Sequence, residues 1–539
     1  MQGLMMDMPL LVSGLIKHAD RFHGATEIVS KTVEGSVHRY GWRDVHRRAK
    51  RVAKALKRLG VGMHDRVGTL AWNGYRHLEV YYGVAGSGAV IHTINPRLFP
   101  DQITYIANHA EDKVVFFDTT FAPLVEKLAP ALKTVKHWVA MTDRAHMPKF
   151  GLRYDELIEA ENDDDYEWPT FDENTAACLC YTSGTTGNPK GALYSHRSTI
   201  IHAYAAALPD TLSLSAREVV LPIVPMFHVN AWSLPYSCAM VGAQLVFPGP
   251  HLDGKSLHEL FEAEEVTMSA GVPTVWLGLL NYMKEKKLRF STLKRVVIGG
   301  SACPPAMIKT FQDEYGVSVL HAWGMTEMSP LGTAGTFKAQ HLKLSKEERD
   351  AWQNKQGRSI YGVDMRIVDE NGKELPWDGR AFGDLQVRGP WVIKGYFKGE
   401  GGNPLKEGGW FPTGDVGTID PDGTLQITDR SKDVIKSGGE WISSIDLENI
   451  AVAHPAIAEA AVIGVKHPKW DERPIVVAVK KPGQEVSRDE LLKFYEGKIA
   501  RWWTPEDVVF VKELPHTATG KLSKLTLRQQ MKDYKLGTG

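Results

Sequence analysis

The chain has 539 residues with 64 basic and 64 acidic side chains, so its formal net charge is zero when histidine is neutral. This balance argues against a surface built for nucleic acid or anionic lipid, both of which favour a basic excess. Hydrophobic residues at 43% and charged residues at 24% are typical of a globular protein and exclude a disordered or fibrous chain.

We expect a cytoplasmic protein without an integral membrane segment. The N-terminal stretch Met1–Ile16 lacks the basic region of a secretory signal, and no segment approaches the ~20 apolar residues of a membrane span. The cysteines are too few for a disulfide framework, and we expect them to be small core residues in a reducing compartment: Cys178, Cys180, Cys238 and Cys303.

The first long helix is predicted over Trp42–Leu59, where apolar residues recur every three or four positions and Gly60 supplies a C-terminal cap. Eight of its side chains are basic and only Asp44 is acidic. Without interleaved aromatic residues or a basic tail, this pattern favours a solvated face over a nucleic-acid or membrane contact.

Short apolar runs then alternate with segments of helical length, a pattern typical of parallel sheets covered by helices on both faces. The first series has strands over 67–72, 89–93, 114–117 and 137–141, with helices over 77–87, 100–109 and 122–132. The same pattern returns as the strand Arg295–Ile298, the helix Pro304–Tyr315 and the strand Val317–Ala322.

The alternation of apolar runs with helical segments ends near residue 357. Short strands with glycine turns predict a small β-rich unit over 357–429, and a fresh α+β pattern follows, ending in a helix over Arg488–Lys498. We therefore predict an α/β protein: a large N-terminal domain of doubly wound sheets that includes the β-rich unit, and a small α+β C-terminal domain. The predicted bounds are 1–429, a hinge at 430–433, and 434–539.

The strongest chemical signal is the segment Tyr181–Gly191, which follows an apolar strand. Glycines allow close backbone approach, hydroxyls and amides donate hydrogen bonds to phosphate oxygens, and a lysine adds positive charge. The spacing differs from a Walker loop, because Lys190 follows Gly187 by three residues and no Ser or Thr comes next. The segment predicts phosphate binding through Thr182, Ser183, Gly184, Thr185, Thr186 and Lys190.

This segment resembles the phosphate loop of the adenylate-forming superfamily, and further motifs of that superfamily follow in the expected order: Gly324–Glu327, Thr413–Asp415, Arg430, Lys436–Gly439 and Thr519–Lys521. The resemblance runs from about residue 66 to residue 521. Within the superfamily, His92–Leu98 and Lys436–Ser444 resemble medium-chain fatty acyl-CoA ligases and 3-methylmercaptopropionate–CoA ligases.

The resemblance implies that a carboxylate attacks the α-phosphate of ATP to give an acyl-adenylate and pyrophosphate. Because the nucleophile is already ionised at pH 7, the site must chiefly neutralise charge between two anions. Magnesium ligation is assigned to Glu327 with Thr182. Beyond the phosphate loop, the resemblance places ATP or AMP against Gly300, Ser301, Ala302, Trp323, Gly324, Met325, Thr326, Asp415 and Arg430. The segment 299–303 also reads as a plain glycine turn that opens a helix.

Lys521 is implied to bridge the carboxylate and the α-phosphate during adenylation. In the second half-reaction the thiol of coenzyme A attacks the acyl carbonyl, so this lysine must withdraw. The resemblance implies rotation of a mobile C-terminal domain about a hinge, for which we predict Lys432 as the pivot. The predicted coenzyme A contacts are Lys436, Gly438, Gly439 and Trp441.

The acid pocket is predicted from Val224–Trp232, which resembles the segment beside the acyl group. His228 either orients the carboxylate or packs in the core. Trp232 matches the residue that gates the acyl tunnel in long-chain relatives. A tryptophan at 323, where tyrosine is more frequent, suggests a smaller or reshaped acyl site. The complete predicted lining is His228, Trp232, Gly299, Gly300, Trp323 and Pro330.

The sequence thus predicts an AMP-forming acid–CoA ligase that uses ATP, Mg²⁺ and coenzyme A on a short- or medium-chain fatty acid or 3-methylmercaptopropionate. The alternatives are a long-chain ligase, a peptide-synthetase adenylation unit, a luciferase, and a nucleotide-binding protein without turnover. Retention of both Glu327 and Lys521 argues against the last of these. A small carboxylic acid is the expected partner, nucleic acid is not, and the resemblance implies a homodimer.

Overall fold

The computed structural model describes residues 1–182, 188–437, 440–516, 522–532, 534 and 536, with residues 440 and 441 described by their backbone alone. Its α-helices are α1 Val12–His23, α2 Trp42–Arg58, α3 Tyr75–Gly86, α4 Pro100–Ala110, α5 Ala122–Leu128, α6 Tyr154–Glu159, α7 His196–Ala207, α8 Leu234–Val241, α9 Gly254–Ala263, α10 Pro273–Lys286, α11 Pro305–Lys309, α12 Lys346–Gln353, α13 Ser444–Val452, α14 Arg488–Phe494 and α15 Lys524–Gln530.

The strands are β1 Glu27–Lys31, β2 Val37–Gly41, β3 Arg66–Leu70, β4 Val90–Thr93, β5 Asp112–Phe117, β6 His137–Ala140, β7 Leu152–Arg153, β8 Ala176–Tyr181, β9 Gly191–Ser195, β10 Val219–Pro222, β11 Gln244–Phe247, β12 Met268–Gly271, β13 Arg295–Ile298, β14 Ser318–Gly324, β15 Leu331–Ala334, β16 Gly357–Ser359, β17 Asp364–Val368, β18 Phe382–Arg388, β19 Phe411–Ile419, β20 Thr424–Arg430, β21 Ile435–Ser437, β22 Glu440–Ile442, β23 Ile457–His467, β24 Asp471–Lys480 and β25 Asp507–Phe510.

A seven-stranded sheet carries the phosphate-loop strand. Its order is β7-β6-β5-β3-β4-β8-β9, and every neighbouring pair is parallel except the last, β8 with β9. The four predicted strands of the first series therefore lie in one parallel sheet, as expected. Parallel strands direct their carboxyl ends to one edge of the sheet, so the end of β8 opens at the edge where ligands bind in such sheets.

The second sheet is a continuous path of thirteen strands in the order β17-β18-β19-β20-β16-β15-β14-β13-β12-β10-β11-β1-β2. Strand β14 pairs in parallel with β13 on one side and antiparallel with β15 on the other. The predicted β-rich unit is thus present as antiparallel strands that extend the doubly wound sheet through β14. The Gly324–Glu327 motif therefore lies where the parallel part of this sheet meets its antiparallel part.

Residues after the predicted hinge form a five-stranded sheet from β21 to β25, with a separate apolar cluster on each of its two faces. The mixed α/β architecture with a smaller C-terminal sheet is the one predicted from the sequence. No described helix is both long and apolar enough to cross a membrane.

Three predicted helices are shorter than expected. The prediction for 122–132 ends at Leu128 because Pro130, which has no backbone N–H, lies in a following 3₁₀ turn. The prediction for 304–315 gives α11 followed by a π-helical turn over Thr310–Glu314. The prediction for 488–498 ends at Phe494, just before Gly497 adopts a positive φ of 74°.

The basic face of α2 is less solvated than predicted. Arg47 and Arg51 both pair with Asp163, at 3.0 Å and 2.7 Å. Arg48 donates to the fully buried carboxylate of Glu79 at 2.7 Å. Asp44 is the only acidic residue within α2, so the helix itself does not neutralise these positive charges. Carboxylates from distant parts of the sequence pair with several of them instead.

Candidate functional site

The phosphate-loop strand ends in a closed pair of hydrogen bonds. The backbone N–H of Thr182 donates to the Lys190 carbonyl at 2.9 Å, and the backbone N–H of Lys190 donates to Thr182 Oγ1 at 3.1 Å. Both ends of the predicted loop are therefore held together at the edge of the sheet. Within that loop, the predicted residues Ser183, Gly184, Thr185 and Thr186 lie outside the described residues.

Glu327 lies in a single 3₁₀ turn, Thr326–Met328, directly after β14. Its carboxylate Oε1 accepts a hydrogen bond of 2.8 Å from the Tyr396 hydroxyl, and its side chain is almost completely buried. Burial raises the pKa of the Glu327 carboxyl above its ordinary value. The Tyr396 ring also faces the Lys190 ammonium at 5.0 Å, so one tyrosine joins the phosphate-loop lysine to the glutamate.

This donor set fits a magnesium ion. A carboxylate and a hydroxyl are the hard oxygen ligands that magnesium prefers, with phosphate oxygens and water completing its shell. The Glu327 carboxylate is desolvated, and the hydrogen-bond donor on its Oε1 is the neutral Tyr396 hydroxyl. A cation bound there would favour the ionised form of this carboxyl, which burial alone disfavours.

Asp415 lies opposite Arg430 where β19 pairs with β20, and its side chain is buried. Arg430 Nε contacts Asp415 Oδ1 at 2.8 Å, and Trp323 Nε1 donates to Oδ2 at 2.8 Å. A carboxylate has about four lone-pair positions, so each oxygen retains capacity for a hydroxyl donor such as ribose. The Trp323–Asp415 bond joins two predicted motifs and was not expected from the sequence.

The Trp323 indole packs closely against Gly332. A Cβ built on Gly332 would lie 2.5 Å from the Trp323 ring, so the ring occupies the space that a side chain would need. The same turn brings Gly324 against Pro330, since a Cβ on Gly324 would lie 2.0 Å from the Pro330 carbonyl oxygen. Met325 N–H donates to that carbonyl at 3.0 Å, so the predicted residues 323–327 and Pro330 form one tight turn.

The predicted adenine loop follows β13, and Gly300 has a positive φ of 81° that favours glycine. Ser301 is exposed and Ala302 is partly buried. The Trp232 ring lies against this loop, 3.4 Å from the position of a Cβ on Gly299 and 3.8 Å from one on Gly300. The structure therefore brings together three residues predicted for the acid pocket, although they lie about 70 positions apart in sequence.

The turn that carries Trp232 has an unusual backbone. Five consecutive residues without a glycine, Val229–Ser233, have φ values between 45° and 72°. This region is uncommon for any residue with a side chain and rare for a β-branched valine. This turn was not predicted from the sequence, because the backbone preferences of these residues disfavour five consecutive left-handed conformations.

His228 lines a cavity together with Thr182, Asn95 and Phe227, so it lies close to the end of the phosphate-loop strand. This placement is compatible with the predicted contact to the acid carboxylate. Thr93 and Tyr181 line the same cavity, so β4 and β8 form its wall.

The predicted hinge and coenzyme A segment are only partly described. Lys432 and Lys436 are exposed, and the neighbouring Asp433 is buried and pairs with Arg528 of α15. The predicted residues Gly438, Gly439 and Lys521, and the side chain of Trp441, lie outside the described residues.

Comparison with known proteins identifies the family. Residues 15–397 match the AMP-binding enzyme family, and residues 446–521 match the AMP-binding enzyme C-terminal domain. The chain belongs to the AMP-binding enzyme family. A 3-methylmercaptopropionyl-CoA ligase from Ruegeria lacuscaerulensis is 56% identical over the full length of both chains. A medium-chain fatty acid–CoA ligase from Ectopseudomonas oleovorans is 53% identical over 99% of this chain and 98% of its own.

Among solved structures, an anthranilate CoA ligase in complex with anthranoyl-AMP superposes with a TM-score of 0.86 at 25% identity, covering 98% of both chains. The predicted superfamily, fold class and enzyme class are confirmed: the protein is an AMP-forming acid–CoA ligase. Family members of this kind use ATP and coenzyme A, as predicted.

Proposed function

We propose that this protein activates a short- or medium-chain carboxylic acid, with 3-methylmercaptopropionate among its substrates, and transfers the acyl group to coenzyme A. The proposal rests on the contact of the Trp232 ring with Gly299 and Gly300, which fills the space beside the predicted adenine loop. A ring in that place limits the depth of the acyl pocket. The two relatives named above carry 3-methylmercaptopropionyl-CoA and medium-chain fatty acid–CoA ligase activities in their names.

In the first half-reaction, an oxygen of the substrate carboxylate forms a bond with the α-phosphorus of ATP, and the bond to the pyrophosphate oxygen breaks. We assign the phosphate contacts to Thr182 and Lys190, and the ribose hydroxyls to Asp415. Arg430 orients the Asp415 carboxylate through an ion pair of 2.8 Å, and Trp323 orients it through a hydrogen bond of 2.8 Å. Positioning and charge neutralisation supply most of the catalysis in such transfers.

Glu327 and Thr182 are the residues that would hold Mg²⁺, which supplies charge neutralisation at the phosphate oxygens. Tyr396 keeps the Glu327 carboxylate in one orientation by donating to Oε1. His228, which lines a cavity with Thr182, orients the carboxylate of the acid. We retain the prediction that Lys521 bridges this carboxylate and the α-phosphate.

In the second half-reaction, the thiol sulfur of coenzyme A bonds to the acyl carbonyl carbon, and AMP leaves. The proposal retains rotation of the C-terminal domain about Lys432, which withdraws Lys521 and presents the segment from Lys436 to Trp441. Glycines at 438 and 439 are consistent with this proposal, because a narrow thiol arm must pass the backbone closely.

The test is AMP release from ATP and coenzyme A with a panel of acids from acetate through octanoate to palmitate, including 3-methylmercaptopropionate and benzoate. The proposal expects a maximum between butanoate and octanoate, with the methylthio acid among the good substrates. A maximum at palmitate would show that Trp232 moves aside as a gate, and would favour a long-chain ligase. No AMP with any acid would contradict the proposed substrate class.

A cytoplasmic location and a homodimer also remain proposals. Light scattering of the purified protein tests the dimer, because a single symmetric peak at the mass of one chain would exclude it. Fractionation of cells that express the protein tests its location.

A further inference from the structure

We propose that Asn230, held by the thiols of Cys178 and Cys180, is a positioning residue that fixes the left-handed turn Val229–Ser233 and thereby determines which acid chain lengths fit beside Trp232. This inference rests on the proposed function and deepens it. It concerns residues that touch neither ATP nor the reacting carboxylate in the site described above.

The turn needs an external support. Left-handed backbone is disfavoured for residues with a Cβ, and five consecutive residues adopt it between Val229 and Ser233. Such a conformation persists only where surrounding contacts determine it, and it is concentrated at functional sites. The indole of Trp232 leaves this turn and packs against Gly299 and Gly300, so the geometry of the turn sets the position of the ring.

Asn230 provides that support through its side chain. Its carboxamide oxygen accepts a hydrogen bond from Cys178 Sγ at 3.0 Å and from Cys180 Sγ at 3.4 Å. All three side chains are buried, with at most 3% of each residue exposed. The thiols project from the same face of β8, as residues two apart on a strand do, and so form a two-point clamp on one oxygen.

The clamp also connects the acid turn to the nucleotide segments. Strand β8 runs directly into Thr182, so the thiols belong to the strand that supports the phosphate loop. Cys180 Sγ is 3.4 Å from Thr93 Oγ1 and also contacts the Tyr194 hydroxyl, which donates to the carbonyl of Thr326, next to Glu327. A shift of the turn relative to β8 would therefore change the acid pocket relative to a fixed nucleotide site.

A metal role for the thiols is not supported. Among the residues that the structure describes, no group of three or more His, Cys, Asp or Glu side chains could hold a metal ion. The amide oxygen of Asn230 is instead placed as the acceptor for both thiols. The two cysteines thus have a polar partner that ordinary core cysteines do not require.

The experiment compares Asn230→Leu, Cys178→Ala and Cys178→Ser with the wild type. Leucine keeps the approximate size of the asparagine side chain and removes the acceptor. Alanine at 178 removes one donor, and serine retains it. Cys238→Ala is the matched control, because Cys238 is equally buried in the same apolar cluster but lies on α8, outside the clamp.

Two readouts separate positioning from general loss of structure. The first is the ratio of kcat/KM for butanoate to that for octanoate, measured together with the KM for ATP. The second is calorimetric affinity for the butanoyl and octanoyl sulfamates of adenosine, with AMP as the nucleotide control. The second readout needs no turnover, so it still decides the inference if the wild type releases no AMP and the proposed function fails.

The inference expects Asn230→Leu and Cys178→Ala to change the butanoate-to-octanoate ratio by about tenfold, the lower end of the discrimination that one methylene gives in an apolar pocket. The KM for ATP and the affinity for AMP should stay within about twofold, with Cys178→Ser and Cys238→Ala close to wild type. An unchanged ratio in Cys178→Ala would overturn the inference. So would a parallel loss of affinity for AMP and both sulfamates, which would mean a general structural role.

Discussion

Replacing Tyr396 by phenylalanine tests the magnesium site that we assign to Glu327. The hydroxyl donates to Glu327 Oε1 at 2.8 Å and favours the ionised carboxylate, whereas burial favours the neutral acid and already raises its pKa. Loss of the hydroxyl removes the largest of the contacts that oppose the effect of burial, so the pKa of Glu327 rises further. Because a cation needs the ionised form, the acidic limb of the activity profile should move to higher pH.

The size of the shift follows from the contact. A hydrogen bond to a charged group contributes about 1.5–3 kcal/mol when it is fully buried. Tyr396 is only half-buried, so water replaces part of this contribution and about 1.4 kcal/mol is the expected loss, which corresponds to about one pKa unit. The ring remains in Tyr396→Phe, so the contact between Lys190 and the aromatic face is retained.

The assay is pyrophosphate release at saturating acid, measured against free Mg²⁺ between pH 6 and pH 9. The magnesium concentration for half-maximal rate should rise towards the acidic end of this range, by at most about tenfold, and should approach the wild-type value at the alkaline end. Tyr204→Phe, at an exposed tyrosine on α7, is the control and should match the wild type. An unchanged magnesium requirement at pH 6 would refute the assignment of Glu327.

Three further results are expected. Gly332→Ala places a Cβ 2.5 Å from the Trp323 ring and should weaken the hydrogen bond from Trp323 to Asp415. The KM for ATP should then rise about tenfold. Gly278→Ala is the control, because a Cβ there meets open space and should leave this KM unchanged. Lys521→Ala should lose acyl-adenylate formation while calorimetry still detects ATP binding. Burial raises the pKa of Asp118 from 3.8 to about 7, so folding stability falls as pH rises between these values. Asp118→Asn should remove that dependence, with a gain of up to about 4 kcal/mol at pH 8 in denaturant unfolding.

Local signals in the sequence predicted most of the fold. The apolar run before Thr182 and the glycines after it identified β8 and its loop, because strand and turn preferences act over a few neighbouring residues. The helix at α2 was predicted to within one residue, since its apolar stripe and its glycine cap agree. The helix beginning at Pro304 was predicted too long, because the pattern does not distinguish an α-helical turn from a π-helical one.

The site was predicted motif by motif, but the contacts between motifs were not. The bond between Trp323 and Asp415 joins residues 92 positions apart, and no spacing rule relates them. Tyr396 carries no motif of its own, although it contacts both Lys190 and Glu327. The left-handed turn at Trp232 depends on tertiary contacts that override local preference, so a single sequence holds no signal for it.

The pairing of β1 with β11 has a consequence for synthesis of the chain. The indole of Trp42 is fully buried and donates to the carbonyl of Ala243 at 3.0 Å, across 201 positions of sequence. At about 5–20 residues per second, a ribosome needs about 10–40 s to supply that partner. During this interval β1 lacks its parallel neighbour β11, and the Trp42 indole lacks the carbonyl that accepts its hydrogen bond. Expression at low temperature or with added chaperones should therefore improve the soluble yield, and fragments that end before residue 247 should aggregate.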